Sequence, residues 1–218
     1  MIITIDGPAA AGKGTISSAL SQKYKLAYFD TGMVYRAVGL QMVLDGKDIK
    51  NEEQATEIAE KLTFPQMISL SKHPDFRSGI GSNAASVVSA HPKVRAALLN
   101  MQKDFANKPI FADGTPAAGV VYDGRDTGTV ICPQADLKLF ITASTEVRAK
   151  RRYDEYIAKG MDASYENVLQ DMIARDERDS NRSTAPLKPA DDAVIIDTTD
   201  LSIPQVLEKV VALVEKIC

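Results

Sequence analysis

Residues 2–15 read Ile2-Ile3-Thr4-Ile5-Asp6-Gly7-Pro8-Ala9-Ala10-Ala11-Gly12-Lys13-Gly14-Thr15, a β-branched strand that runs into a glycine-bounded turn, a lysine and helix-forming sequence. The spacing Gly7-x4-Gly12-Lys13 is that of a phosphate-binding loop. Gly7 and Gly12 let the backbone curl so that successive N–H groups face inward, and Pro8, Ala9, Ala10 and Ala11 offer no bulk to oppose this. Lys13 supplies a mobile charge for the outer phosphates, and the following helix turns its positive end toward the anion. Thr15 offers a hydroxyl to Mg²⁺, one residue later than in the plain pattern because Gly14 follows the lysine. A dinucleotide fingerprint is excluded, since Gly12-x-Gly14-x-x-Ser17 lacks the third glycine. The loop is expected to hold a nucleoside triphosphate.

The chain has 218 residues, 44% hydrophobic and 25% charged, enough for one domain with a sizeable core. A net charge of −3 argues against broad nucleic-acid or membrane-surface binding. With a strand expected from residue 2 and no long apolar run, neither a leader nor a membrane span is expected, and the cytoplasm is the simplest location. Cys132 and Cys218 form neither a metal-ligand spacing nor a disulfide framework, and two histidines make a histidine base improbable.

Strands are expected at 2–6, 26–30, 119–123, 137–142 and 193–197. Helices are expected at about 13–24, after Gly32, at 51–62, from Asn83 onward including a Pro92 first turn, at 144–159, at 165–179 and from Ser202. Residues 63–82 are the least determined, with strand character around Phe64–Leu70. The loop 113–118 reads as extra length beside the ligand-binding edge. The last helix carries the stripe Val206, Val210, Leu213 and Ile217. The alternation predicts an α/β fold, a five-stranded parallel sheet with helices on both faces. Ligands of such sheets sit beyond the carboxyl ends of the strands, where Asp6-Gly7, Asp30-Thr31 and Asp123–Asp126 converge. Asp123, closing an apolar strand, is a metal partner in this pattern.

Arginines cluster in the same regions. Arg36 follows Asp30-Thr31 by one turn, and Arg125 follows Asp123. Arg148, Arg151 and Arg152 share one helix face, and Arg175, Arg178 and Arg182 share another. Taken alone these are solvated, ion-paired helices. Beside a phosphate loop, two arginine-rich helices joined at Gly160 would form a closing lid that surrounds the transferring group with cations. A phosphate monoester acceptor is already largely dianionic near neutral pH and needs positioning arginines rather than a base. An acceptor hydroxyl, with Asp30 or Asp126 as base, stays open as an alternative. A guanine-nucleotide switch is disfavoured because Asn107-Lys108-Pro109-Ile110 lacks the closing acid.

The phosphate loop resembles that of nucleoside monophosphate kinases. Four further stretches are together similar to bacterial cytidylate kinases. These are Asp30-Thr31-Gly32-Met33-Val34-Tyr35-Arg36, Asn83-Ala84-Ala85-Ser86, Asp123-Gly124-Arg125-Asp126-Thr127-Gly128-Thr129, and Arg178-Asp179-Ser180-Asn181-Arg182 with Ala185-Pro186-Leu187. The resemblance implies transfer of the γ-phosphoryl group of ATP to CMP or dCMP with Mg²⁺ held at Thr15 and Asp123. It further implies that Lys13, Arg125, Arg182 and Arg148 serve the transfer. Arg36, Arg125 and Arg182 would hold the acceptor phosphate, Arg175 and Asp179 the ribose, and Ser86, Arg95 and Asp126 the base, with Thr31 and Tyr35 in the same pocket. Residues 31–106 would be the monophosphate-binding part and 148–186 the lid of a single domain at 1–218, working as a monomer. Met33 and Thr127 depart from the family's usual residues. The stretch 45–82 is shorter than usual, with Gly79-Ile80-Gly81 where an arginine-containing segment is expected.

Overall fold

A computed structural model of the chain describes residues 1–217, so Cys218 lies outside the described residues. Five strands, β1 (Ile2–Asp6), β2 (Ala27–Asp30), β3 (Val120–Gly124), β4 (Leu137–Thr142) and β5 (Val194–Asp197), form one sheet in the order β2-β3-β1-β4-β5. Every pairing is parallel. Such an order needs a crossover between successive strands, and helices supply them. The register sets Asp30 opposite Asp123 and Asp6 opposite Gly124, so the carboxyl ends of the first three strands lie side by side.

Two apolar clusters cover the two faces. Alternation along β3 sends Val120 and Tyr122 to one side and Val121 to the other. On the first side, Phe29, Tyr122 and Phe105 stack under α2 (Gly32–Leu44), α3 (Glu52–Lys61), α4 (Phe64–Ser71), α5 (Gly79–Val88) and α6 (Pro92–Asn107). On the second, Ile3, Ile5 and Leu139 meet α1 (Lys13–Tyr24) and α9 (Ile203–Val214). Two charged helices, α7 (Thr145–Ala158) and α8 (Tyr165–Asn181), follow β4 and pack on each other. Among the described residues no helix is long and apolar enough to cross a membrane.

The structure corrects the sequence reading in four places. Phe64–Leu70 is helical, not extended: Thr63 and Gln66 form a capping box, and Pro65 sits in the first turn. The helix expected from Asn83 begins at Gly79, where the Ser78 hydroxyl accepts from the Ile80 N–H at 3.1 Å. The loop 113–118 lies at the amino-terminal edge of the sheet, away from the ligand edge; Met1 N donates to the Ala118 carbonyl and Val120 N to the Met1 carbonyl. The α9 stripe is Val206, Val210 and Val214 with Leu213 half-buried beside them, while Ile217 is exposed.

Helix α2 carries Thr31, Tyr35 and Arg36 toward the ligand edge, and α5 holds it there. Their backbones touch at Gly39, where an added Cβ would lie 2.8 Å from the Ala84 carbonyl carbon. Gly39→Val is therefore expected to destabilise by about 1–3 kcal/mol, the range for overpacking a filled core. For a chain of this length that is roughly 3–9 °C in Tm. Thermal unfolding followed by circular dichroism measures it, and an unchanged Tm would show that the two helices do not approach so closely.

Candidate active site

The loop between β1 and α1 is curled by three left-handed residues, Gly7 (φ 145°), Ala10 (φ 58°) and Gly12 (φ 95°). Gly7 is fixed by packing as well as by φ, since a Cβ there would stand 1.9 Å from the Ile141 carbonyl oxygen. Helix α1 opens at Gly12 with no side-chain cap and no acid in its first turn. Its first N–H groups therefore have only an incoming anion or water to satisfy them. Lys13 is buried, donates to the Pro8 carbonyl at 2.9 Å and lies 3.8 Å from Asp123 Oδ1. Burial, reinforced by repulsion from Arg125, pushes its pKa down to about 7. Burial pushes the Asp123 carboxyl up to about 6 against the pull of Lys13. The Tyr28 hydroxyl donates to Asp123 Oδ2 at 3.3 Å.

Beyond the carboxyl ends of β1, β2 and β3 opens a cavity of about 510 Å³, with the phosphate loop on one wall and Arg36, Arg125, Arg175 and Arg182 around it. Arg36 donates to the Phe76 carbonyl (3.1 Å) and the Ser82 hydroxyl (3.0 Å). Burial holds its pKa down at about 10, only partly opposed by Asp30. Arg175 is lowered to about 9 by burial and then by Arg125. Of these four Arg125 alone is raised: burial works against its charge, but Asp179 (Nε–Oδ2 3.1 Å) and Asp123 outweigh it. Asp179 is buried too, yet Arg125, Arg175 and Arg182 together hold its pKa below the ordinary value. Arg182 Nη2 is buried, makes no hydrogen bond and stands 3.9 Å from Asp126 Oδ1.

At the far end of the cavity Arg95, from α6, forms a buried ion pair with Asp126. The Arg95 guanidinium also lies over the Tyr35 ring, 5.2 Å from its centre. Thr31, at the start of α2, donates its hydroxyl to the Asp123 carbonyl at 3.0 Å. One cavity thus brings together Ala9, Ala10, Gly12, Lys13, Gly14 and Thr15 of the loop with Thr31, Tyr35, Arg36, Arg95, Asp123, Arg125, Asp126, Arg175, Asp179 and Arg182. Ser86 falls in an adjoining cleft between α5 and α8, where its hydroxyl accepts from Arg178 Nε at 3.2 Å.

Arg148 is not brought to the cavity. Its guanidinium makes two bonds to Asp176 (3.2 and 2.6 Å) and others to the carbonyls of Ala143 and Ala9. It ties α7 to α8 and to the phosphate loop. Arg152, one turn on, lines the cavity instead. Arg151, on the same helix, is bonded to Thr198 just past β5.

Two features escape the sequence reading. Arg77, six residues before Asn83, lines the cavity 3.6 Å from Asp30 Oδ2, so the region of Gly79-Ile80-Gly81 does have its arginine. A second cavity of about 460 Å³ adjoins the loop, lined by Ala11, Thr15, Arg151, Thr198, Leu201 and Ile203. The signal for it was the carboxyl end of β5, the place where ligands of parallel sheets gather.

Among the described residues no group of three or more His, Cys, Asp or Glu could hold a metal ion. A cation at Thr15 and Asp123 would take its remaining ligands from phosphates and water, the usual habit of Mg²⁺. The donor set, one carboxylate and one hydroxyl on the wall that carries the phosphate loop, fits that ion.

Comparison with known proteins bears on the same residues. Among solved structures, a shikimate kinase from Bacteroides thetaiotaomicron shares the fold with TM-score 0.50 at 14% identity, covering 100% of this chain and 97% of that one. An uncharacterized protein from Eubacterium ventriosum does so with TM-score 0.51 at 12% identity, covering 99% and 98%. Much nearer in sequence are a cytidylate kinase from Rhodopseudomonas palustris, 47% identical over 217 residues, and one from Xanthobacter autotrophicus, 48% identical over 216. They cover 100% and 99% of this chain, and 97% of each relative. The family profile described as cytidylate kinase matches residues 3–216. With the phosphate loop, the arginines and the Arg95–Asp126 pair facing one cavity, the chain is a P-loop kinase and belongs to the cytidylate kinase family.

Proposed function

We propose that the chain transfers the γ-phosphoryl group of ATP to CMP or dCMP, giving ADP and CDP or dCDP, with Mg²⁺ between Thr15, Asp123 and the donor phosphates. The observation that carries this reading is the two-ended cavity: a loop built for a polyphosphate at one end, a carboxylate–guanidinium pair at the other, and arginines between them. Mg²⁺, when bound, would neutralise phosphate charge and hold the oxygens in line. The protein's own part is positioning and electrostatics. Lys13 and the loop amides take the β- and γ-phosphates. Arg36, Arg125 and Arg182 take the acceptor phosphate, and Arg175 with Asp179 takes the ribose.

Asp126 and Arg95, with Ser86 near by, read the base. Cytosine has an amino donor at N4 and acceptors at N3 and O2, so an acid can accept from N4 while an arginine donates to N3 or O2. Uracil reverses the 4-position and N3 and would leave the acid facing an oxygen. A hydroxyl acceptor fits less well because both acids proposed as its base are engaged. Asp126 is paired with Arg95, and Asp30 accepts from the Gly32 N–H at 2.9 Å beside Arg77. Residues 31–106 act as the monophosphate-binding part and 148–186 as a lid, within one domain that works as a monomer in the cytoplasm. The Arg152–Ser82 hydrogen bond (3.2 Å) and the Arg178–Ser86 bond already span the two parts, which supports closure of one on the other.

ADP release against each nucleoside monophosphate in turn tests the activity. CMP and dCMP are expected to be turned over and UMP much more slowly. Asp126→Ala should lower kcat/KM for CMP by roughly 10- to 100-fold, the loss of about 1.5–3 kcal/mol from one charged hydrogen bond. It should lower that for UMP far less; an equal loss for all three would sink the role of Asp126, and a preference for an acceptor without phosphate would sink the reaction.

The shifted pair at the loop gives a second expectation. Below pH 6 the free protein carries a charged Lys13 and a largely protonated Asp123. Above pH 8 it carries a largely neutral Lys13 and an ionised Asp123. Beside bound phosphate Lys13 would take up a proton, and on holding the cation Asp123 would give one up. Calorimetric titration with MgATP in buffers of different ionisation enthalpy should show net proton release near pH 6 and net uptake near pH 8. No change of sign across that window would contradict the assignment of both residues.

A further inference from the structure

Asp6 closes β1 immediately before the phosphate loop and is buried, at 4% exposure. Its Oδ1 accepts from the Thr127 backbone N–H at 2.9 Å and from the Thr127 hydroxyl at 2.8 Å. Its Oδ2 accepts from the Gly128 N–H at 2.8 Å. Among the described residues no cation forms an ion pair with it. An acid held in the interior by hydrogen bonds, with no ion pair, is expensive to keep, and an apolar residue could end the strand without that penalty. The carboxylate therefore has a task beyond closing the sheet.

That task is visible in what it holds. Thr127 and Gly128 open a π-helical turn, Thr127–Ile131, whose preceding residue is Asp126. Such turns are rare and need outside support. Support comes from Asp6 on one side and from close packing on the other. A Cβ at Gly124 would lie 2.5 Å from the Thr127 methyl and 2.5 Å from the Thr31 hydroxyl, so Thr127 is wedged between the ends of β1 and β3. With the Thr127 amide and side chain both held, the backbone of Asp126 (φ −144°, ψ 23°) is anchored on the side of the turn, and from there its carboxylate meets Arg95.

We propose that Asp6 and the Thr127 hydroxyl form a positioning clamp that sets the orientation of Asp126, so that discrimination between cytosine and uracil depends on a carboxylate that never touches the nucleotide. The clamp rests on the reading that Asp126 meets the base. Asp6 also begins the phosphate loop at Gly7, so the same side chain keeps the base-reading turn in fixed relation to the donor-phosphate loop.

Thr127→Val removes the hydroxyl at nearly equal volume, and Thr127→Ser keeps it. KM and kcat for CMP and UMP, KM for ATP, and Tm are measured for wild type and both variants. Thr127→Val should raise KM for CMP by about 3- to 10-fold, less than the roughly 10- to 100-fold of a bond lost directly to a charged group, because the effect reaches the base only through Asp126. It should shrink the CMP-to-UMP ratio of kcat/KM by a similar factor and leave KM for ATP within about twofold. Thr127→Ser should restore the wild-type ratio even if its Tm is lower. Asp6→Asn, which sets an amide NH2 donor against the Gly128 N–H donor, should shrink the ratio at least as much. A CMP-selective wild type whose ratio survives Thr127→Val or Asp6→Asn, with only Tm lowered, overturns the clamp alone. A wild type indifferent to the base overturns the clamp together with the reading of Asp126.

Discussion

Like charges gathered out of water repel one another, and around this cavity Lys13, Arg36, Arg125, Arg175 and Arg182 are gathered with Asp123, Asp126 and Asp179 as partial compensation. Burial, reinforced by repulsion among the cations, holds Lys13, Arg36 and Arg175 below their ordinary pKa values, while Asp179 and Asp123 raise that of Arg125. Each of the first three is a site where positive charge is disfavoured until an anion arrives. Bound phosphates would remove the imbalance, and the energy released in doing so favours the state in which both nucleotides are present. Because the dipoles and charges are fixed in advance by the fold, little reorganisation is left for the moment of transfer.

The sheet is what fixes them. Parallel pairing places Asp6, Asp30 and Asp123 in neighbouring positions at one edge. From that row the chain leaves in three directions: into the phosphate loop, into α2 with Arg36, and into the turn with Arg125 and Asp126. Two carboxylates and one main-chain carbonyl at the strand ends hold the departures in place. Asp6 binds the Thr127–Gly128 amides, Asp30 binds the Gly32 amide, and the Asp123 carbonyl accepts from both the N–H and the hydroxyl of Thr31. Helices α7 and α8 are attached separately: Arg148 ties one to the other through Asp176, and Arg151 ties α7 to Thr198.

Much of this was legible in the sequence because the signals are local. A glycine-bounded loop between a strand and a helix, acids that end apolar strands, and capping residues such as Asn51 and Ser144 each declare themselves within a few residues. The arginines could be named for the same reason. What failed was tertiary or rested on competing local signals. Phe64–Leu70 has the aromatic and branched residues of a strand, and only the Thr63–Gln66 box identifies it as a helix. The side of the sheet on which 113–118 lies depends on the pairing of Val120 with Ile2, far away in sequence. Nothing near Arg148 announces that Asp176 will occupy its guanidinium, and nothing near Thr127 announces Asp6, 121 residues earlier.

In the proposed reaction one cage of cations accommodates donor and acceptor phosphates at once. The most direct test is the affinity of an adenosine–cytidine bisubstrate whose two nucleosides are joined by a polyphosphate, measured by calorimetry beside ATP and CMP alone. If both ends occupy one cavity, linking them should tighten binding by about 10²–10⁴-fold over either nucleotide. Affinity no greater than that of ATP would mean that the two phosphates never share the site.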